Sequence, residues 1–270
     1  MASCEQCTQG HILSGEPEGV IVDGAYLHAA PASDSSEQTP SRAIVLLTDI
    51  FGLPLKNSKL IADELSKRVG CDVWVPDLFA GSPPVTVHEL EPLVPQRPGD
   101  KFTLTNKLRF FFLALTRLFS FIAVRPAVVD PRAADFVKKL KEEKKYAKIG
   151  AVGYCFGGSV AIRLGSSDLF DAIVIAHPGG NSIEQIKAIK VPASWACAED
   201  DMSFKKPLRD EAEAVFAARK EKSDYVEYEF NDYKGTVHGF AARPNLAIPE
   251  VVEAYKGALN QTENWFKKYL

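Results

Sequence analysis

The sequence predicts an α/β fold, a mostly parallel central sheet with helices on both faces. Three observations predict it. Short apolar runs recur along the chain, and short runs suit strands buried on both sides. Segments with helical spacing separate those runs, and alternation across a whole chain implies crossovers over a parallel sheet. The composition is globular, with 46% apolar and 25% charged residues in 270, enough to bury a large core without disulfides or metal.

The elements follow in order. Residues 1–41 are polar and turn-rich, a leader with at most a hairpin around Gly19 to His28. The run AIVLLTDIFG reads as the first buried strand. NSKLIADELSKRVG then places Leu60, Ile61, Leu65 and Val69 on one side of a helix that Gly70 ends, as a C-cap does. DVWVPDL is a strand. Residues 82–128 break the rhythm. SPPVTVHELEPLVPQRPGD is too proline-rich for a regular helix or central strand, and an aromatic stretch follows it. This region reads as a lid-like insertion too short to hold its own core, which leaves 1–270 as one domain. Alternation resumes with helix PRAADFVKKLKEEKKY, strand KIGAVGY, helix GGSVAIRLGSS, strand FDAIVIAHP, short helix SIEQIKAI and strand VPASWACA. Helix PLRDEAEAVFAARKEK, strand YVEYEF and a closing helix from Val251 complete the chain.

Several classes are disfavoured. A net charge of −3 gives no basic footprint for nucleic acid. Five scattered cysteines, Cys4, Cys7, Cys71, Cys155 and Cys197, do not form a disulfide framework and suit a reducing compartment. The N-terminus has neither a basic nor an apolar signal region, so a cytoplasmic location is expected. Leu108–Val124 is apolar, but Arg109 and Arg117 interrupt it, and charge inside a bilayer is costly. An amphipathic helix over a cleft is expected there instead of a membrane span.

The chemistry gathers around Gly153-Tyr154-Cys155-Phe156-Gly157, between a strand and a helix. That context matches the nucleophile elbow G-x-S-x-G, with Cys replacing Ser. The elbow is a strained turn that lifts its nucleophile above the strand end, and Gly153 and Gly157 leave it room. The following helix aims its N-terminus at the sulfur, and the Phe156 amide is positioned for an oxyanion. A buried structural cysteine beside packing glycines is the bland alternative. In the α/β-hydrolase order an acid and then a histidine follow the nucleophile. Glu199, Asp200 and Asp201 end one strand, and His238 lies in a glycine-flanked loop after the last. The acids could instead be helix caps.

Together, G-Y-C-F-G-G, A-E-D-D-M-S-F, H-G-F and D-I-F-G resemble the dienelactone hydrolase family (carboxymethylenebutenolidase-like proteins) from about Ile44 to the C-terminus. The resemblance implies the α/β-hydrolase fold and selects Asp201 over Asp200 as the partner of His238. It also implies that Asp49, where the family usually has Glu, holds the resting Cys155 as a thiol. Asp49 could instead brace its loop. The Ile50 amide becomes the second oxyanion donor and Arg243 a ligand for a substrate carboxylate, while Arg109, Arg117 and Arg125 are unranked candidates for a second arginine.

The expected activity is hydrolysis of lactones, enol esters or activated esters through a thioester on Cys155, with Asp201 and His238, without metal or cofactor, in a monomer or homodimer. Two alternatives stand beside it: a tailoring enzyme for a larger polyketide-type lactone or thioester, and a non-catalytic binding protein on the same fold. Cys4 and Cys7 with His11 form too small a set for a zinc site. His177 lines the active-site rim or is structural. Phe110, Phe111, Phe112, Phe119 and Phe121 either wall the substrate or pack the insertion onto the core, the second being the default use of aromatics.

Overall fold

The computed structural model describes residues 11–31 and 41–270. Strand β1 (Val20–Val22) turns into β2 (Ala25–His28) through Asp23-Gly24. Both turn residues have positive φ, 50° and 81°, as a two-residue hairpin turn requires. The hairpin expected around Gly19 to His28 is present, and it does more than lead in: β2 pairs antiparallel with β4 (Asp72–Val75), so the hairpin extends the sheet. Asp63 fastens it, accepting the Tyr26 hydroxyl at 2.5 Å and the Glu18 amide at 2.8 Å.

The parallel part holds β3 (Arg42–Leu47), β4, β5 (Lys148–Tyr154), β6 (Ala172–Ala176), β7 (Ala193–Asp200) and β8 (Tyr228–Val237). Across the sheet the order is β1-β2-β4-β3-β5-β6-β7-β8. Alternate residues of a strand face opposite ways, and β3 serves two cores. Ala43, Val45 and Leu47 meet one face while Ile44 and Leu46 meet the other, all fully buried. Helices α1 (Lys56–Val69) and α9 (Pro249–Tyr269) cover the second face. The first face carries α5 (Pro126–Lys144), α6 (Phe156–Leu164), α7 (Ile183–Lys187) and α8 (Lys206–Ala217).

Between β4 and α5 lie α2 (Val87–Leu90), a 3-10 turn (Glu91–Leu93), α3 (Leu104–Thr116) and α4 (Leu118–Ala123). The prolines confine the first half to single turns, and Thr86 and Glu89 close a capping box around α2. Helix α5 begins at Pro126 and carries Pro131 inside it, so the insertion ends earlier than residue 128. Proline suits the first helical turn, where its missing N–H costs nothing. The expectation that the insertion's aromatics pack onto the core is corrected. No residue of α3 or α4 is buried, because these helices rest on the 3-10 turn and on each other. Among the described residues, no helix is long and apolar enough to cross a membrane.

Candidate active site

Cys155 stands between β5 and α6 with φ 52° and ψ −110°, a conformation that non-glycine residues adopt only under constraint. The constraint comes from packing above the sheet. A Cβ on Gly153 would lie 2.2 Å from the Gly157 carbonyl oxygen, and one on Gly157 would lie 2.0 Å from that of Leu47. Helix α6 therefore sits directly against the end of β3, and the Gly157 N–H donates to the Thr48 carbonyl at 2.9 Å. The Cys155 amide donates to Ala176 at 3.1 Å, and its carbonyl accepts from Gly179 at 2.9 Å. Phe156 opens α6, so its N–H has no acceptor within the helix, while its ring packs edge-on against Phe79.

His238 follows β8 directly and brings Nε2 to 3.0 Å from the Cys155 Sγ. Its Nδ1 lies 2.9 and 3.0 Å from the two Asp201 oxygens. Asp201 is buried just past β7, and its Oδ1 also accepts the amides of Ser203 at 2.7 Å and Phe204 at 3.0 Å. Asp200, one residue earlier, is exposed and accepts the Gly99 amide of the insertion at 3.0 Å. Burial opposes the charge of both members of the His238–Asp201 pair. For His238, the Cys155 sulfur and the Asp201 carboxylate outweigh burial and hold the imidazole well above its ordinary value. For Asp201, the imidazole and the two amides outweigh it and hold the carboxyl below its ordinary value. This constellation can move a proton between sulfur and Nε2 while fixing the ring tautomer. His177 is not at the rim. It lies fully buried behind His238, with ring centroids 5.2 Å apart.

Ile50 and Arg243 line the same cleft as Cys155 and His238, together with Leu90, Glu91, Val94, Pro95, Phe110 and Met202. The cavity is about 170 Å³ and mostly apolar. Arg243 is already committed. Its Nε donates to Asp49 at 2.9 Å, its Nη1 to Glu91, and its guanidinium lies over the Phe51 ring at 4.6 Å. Burial opposes its charge, but Glu91 and Asp49 outweigh that and hold it protonated. Asp49 is buried and accepts the Phe51 amide at 3.1 Å as well. Burial pushes its carboxyl up, against the pull of Arg243. The Asp49 carboxylate thus bonds to Arg243 and its own loop, while His238 is hydrogen-bonded to the Sγ. Arg109, Arg117 and Arg125 do not line this cleft; Arg117 pairs with Glu89, and Arg125 donates to the Ile122 carbonyl.

Glu91 was not among the sequence candidates, since nothing in a proline-rich segment marks it. His11, weighed in the sequence only as part of a metal set, instead joins Glu91 beside Arg243. Its Nδ1 lies 3.3 Å from the Arg243 carbonyl and 3.5 Å from Glu91, and Asn57 ties the His11 carbonyl to that of Ala242. Cys4 and Cys7 lie outside the described residues. Among the described residues, no three His, Cys, Asp or Glu side chains gather as a metal site.

The sheet order, the elbow after β5 and the His238–Asp201 pair beyond β8 and β7 define an α/β-hydrolase. Comparison with known proteins agrees. The model of the dienelactone hydrolase family matches residues 27–270, and the chain belongs to that family. It is a hydrolase acting on ester or lactone bonds. Hydrolase pyvD of Aspergillus violaceofuscus is 29% identical over 264 residues, covering 98% of this chain and 96% of that protein. The carboxymethylenebutenolidase homolog of Homo sapiens is 27% identical over 266 residues, with 98% and 96% covered. A putative dienelactone hydrolase from Klebsiella pneumoniae superposes with TM-score 0.64 at 16% identity, with 91% and 92% of the chains covered.

Proposed function

We propose that the chain hydrolyses neutral lactones or activated esters through a thioester on Cys155. The 3.0 Å contact between His238 Nε2 and the Cys155 Sγ carries this reading. Against burial, the sulfur and Asp201 favour the proton on Nε2, so Cys155 reacts as the thiolate of a thiolate–imidazolium pair and attacks the carbonyl carbon. The amides of Phe156 and Ile50 receive the oxyanion. The carbonyl re-forms, the C–O bond breaks, and the leaving oxygen takes the proton from His238. Water then attacks the thioester, giving its proton to Nε2. The C–S bond breaks, releasing the acid and restoring the thiolate–imidazolium pair. Asp201 holds the imidazole in the tautomer that this shuttle needs. Asp49 acts by bracing Arg243 and the loop after β3.

The larger, polyketide-type substrate has specific support. The cleft lining is mostly apolar, and the cation that would bind a substrate carboxylate already faces two carboxylates. A compact anionic lactone gains little there. A fungal relative named as a hydrolase aligns along nearly the whole chain, and so does hydrolase tropI of Talaromyces stipitatus, 29% identical over 271 residues.

The test is a p-nitrophenyl ester turned over by wild-type enzyme and by Cys155→Ala, with peptide mass mapping of acyl-enzyme trapped at low pH. The expected result is at least a ~10³-fold loss in the variant and an acyl group on the Cys155 peptide, removed by neutral hydroxylamine. Turnover retained by Cys155→Ala, or an acyl group on another residue, overturns the reading.

A further inference from the structure

Helices α3 and α4 of the insertion invert the usual arrangement of an amphipathic helix. In α3 the apolar stripe Leu104, Leu108, Phe111, Phe112, Leu115 keeps the i, i+4, i+7, i+8, i+11 spacing that normally faces a core. Here it faces solvent. Leu104 is 74% exposed, Phe111 61% and Phe112 60%, and in α4 Phe119 is 83% exposed. Leu118 and Ile122 extend the patch. The opposite side of α3 faces the protein: Phe110 reaches the cleft beside Cys155. A continuous apolar surface of this kind marks an interaction site.

Charge selects the partner. From Lys101 to Val129 the ionisable residues are Lys101, Lys107, Arg109, Arg117 and Arg125, with no Asp or Glu. Glu89 pairs with Arg117 and Glu91 with Arg243, which leaves Lys107 and Arg109 as the cations flanking the stripe of α3, with Asp100 at the start of the segment bonded to the Gln96 and Arg97 amides. Phenylalanines and leucines on a helix flanked by lysines and arginines suit the boundary between acyl chains and anionic headgroups. A second copy docked on this face would add a surface equally poor in acids, since Lys101 to Val129 holds no Asp or Glu to complement its cations. We infer that α3 and α4 seat the enzyme on an anionic lipid surface, with the mouth of the Cys155 cleft held at the membrane. An apolar ester dissolved in the bilayer then reaches the cleft along the inner side of α3.

The experiment is co-sedimentation of the full chain with phosphatidylcholine vesicles, with and without phosphatidylglycerol. Wild type should pellet with the phosphatidylglycerol vesicles, less at high salt and little with phosphatidylcholine alone. The triple variant Phe111→Ser, Phe112→Ser, Phe119→Ser should bind at least tenfold more weakly, with unchanged melting and unchanged turnover of a water-soluble aryl ester. Lys107→Glu with Arg109→Glu should abolish the preference for phosphatidylglycerol. Wild type that stays in the supernatant, or a triple variant that pellets like wild type, overturns the inference. A dimer seen by sedimentation equilibrium and lost in the triple variant, with no vesicle binding, assigns the face to a second copy instead.

Discussion

Asp200 and Asp201 are adjacent and chemically identical, yet they meet different surroundings. A strand turns successive side chains to opposite sides, and β7 ends between them. Asp200 points to the insertion and solvent, whereas Asp201 turns inward to His238 and two amides. Asp201→Asn should therefore cut kcat by ~10³–10⁴, as loss of a tautomer-fixing acid does. Asp200→Asn should cost less than about tenfold, and steady-state kinetics on one ester ranks the two. The spacing in A-E-D-D-M-S-F pointed to Asp201, and its carboxylate lies beside His238. Glu91 was not readable, because its role depends on a fold that carries it to Arg243, 152 residues away. It gives a second prediction. Glu91→Gln frees one side of the guanidinium, so an ester bearing a carboxylate should gain on its neutral counterpart in kcat/KM by on the order of tenfold, a worth of ~1.4 kcal/mol. An unchanged ratio removes Glu91 from specificity.

At the scale of elements, strands that are apolar on both faces were legible in place, though AIVLLTDIFG runs past the end of β3 at Leu47 and FDAIVIAHP past both ends of β6. KIGAVGY is β5 as read, because burial on both faces leaves no competing pattern. Edges were harder. β8 begins at Tyr228 and runs to Val237, through polar Asn231, Asp232 and Lys234, whose exposure at the sheet edge removes the apolar signal. α2 carried its mark in Thr86-x-x-Glu89, overshadowed by the surrounding prolines. The elbow is the most constrained junction, and its glycines are a matter of space rather than of φ. Gly157→Ala should destabilise the protein by ~3 kcal/mol or more, the upper end of overpacking costs, since the new methyl meets backbone that cannot rotate away. Chemical denaturation measures this. A loss below ~1 kcal/mol would mean that the contact between α6 and β3 relaxes freely.

Across the whole molecule, one sheet holds two cores, and the chemistry lies where its strands end. β5, β7 and β8 each deliver one residue of the Cys155, Asp201 and His238 group there, so strand order alone brings them together. The same crowding places two histidines side by side with shifts of opposite sign, and stability should follow both. His238 has a raised value, so its contribution is complete below the unfolded value of ~6.5 and is lost as pH rises through the folded one. Asp201 has a lowered value, so its contribution is present above ~3.9 and is lost as pH falls through the folded one. His177 acts the other way from His238. Burial first, and then the neighbouring His238, hold it neutral, with its value well below the ordinary one. The unfolded chain binds a proton there below ~6.5 and the folded one does not, so His177 costs stability as pH falls. Asn tolerates the left-handed backbone at this position, φ 36°, and does not titrate. His177→Asn should melt lower than wild type at every pH, because it leaves a cavity. Its Tm at about pH 5 should nevertheless rise relative to its Tm at about pH 8, compared with the same difference in wild type. Scanning calorimetry at the two values decides. An identical difference in both proteins would mean that His177 takes up its proton without unfolding.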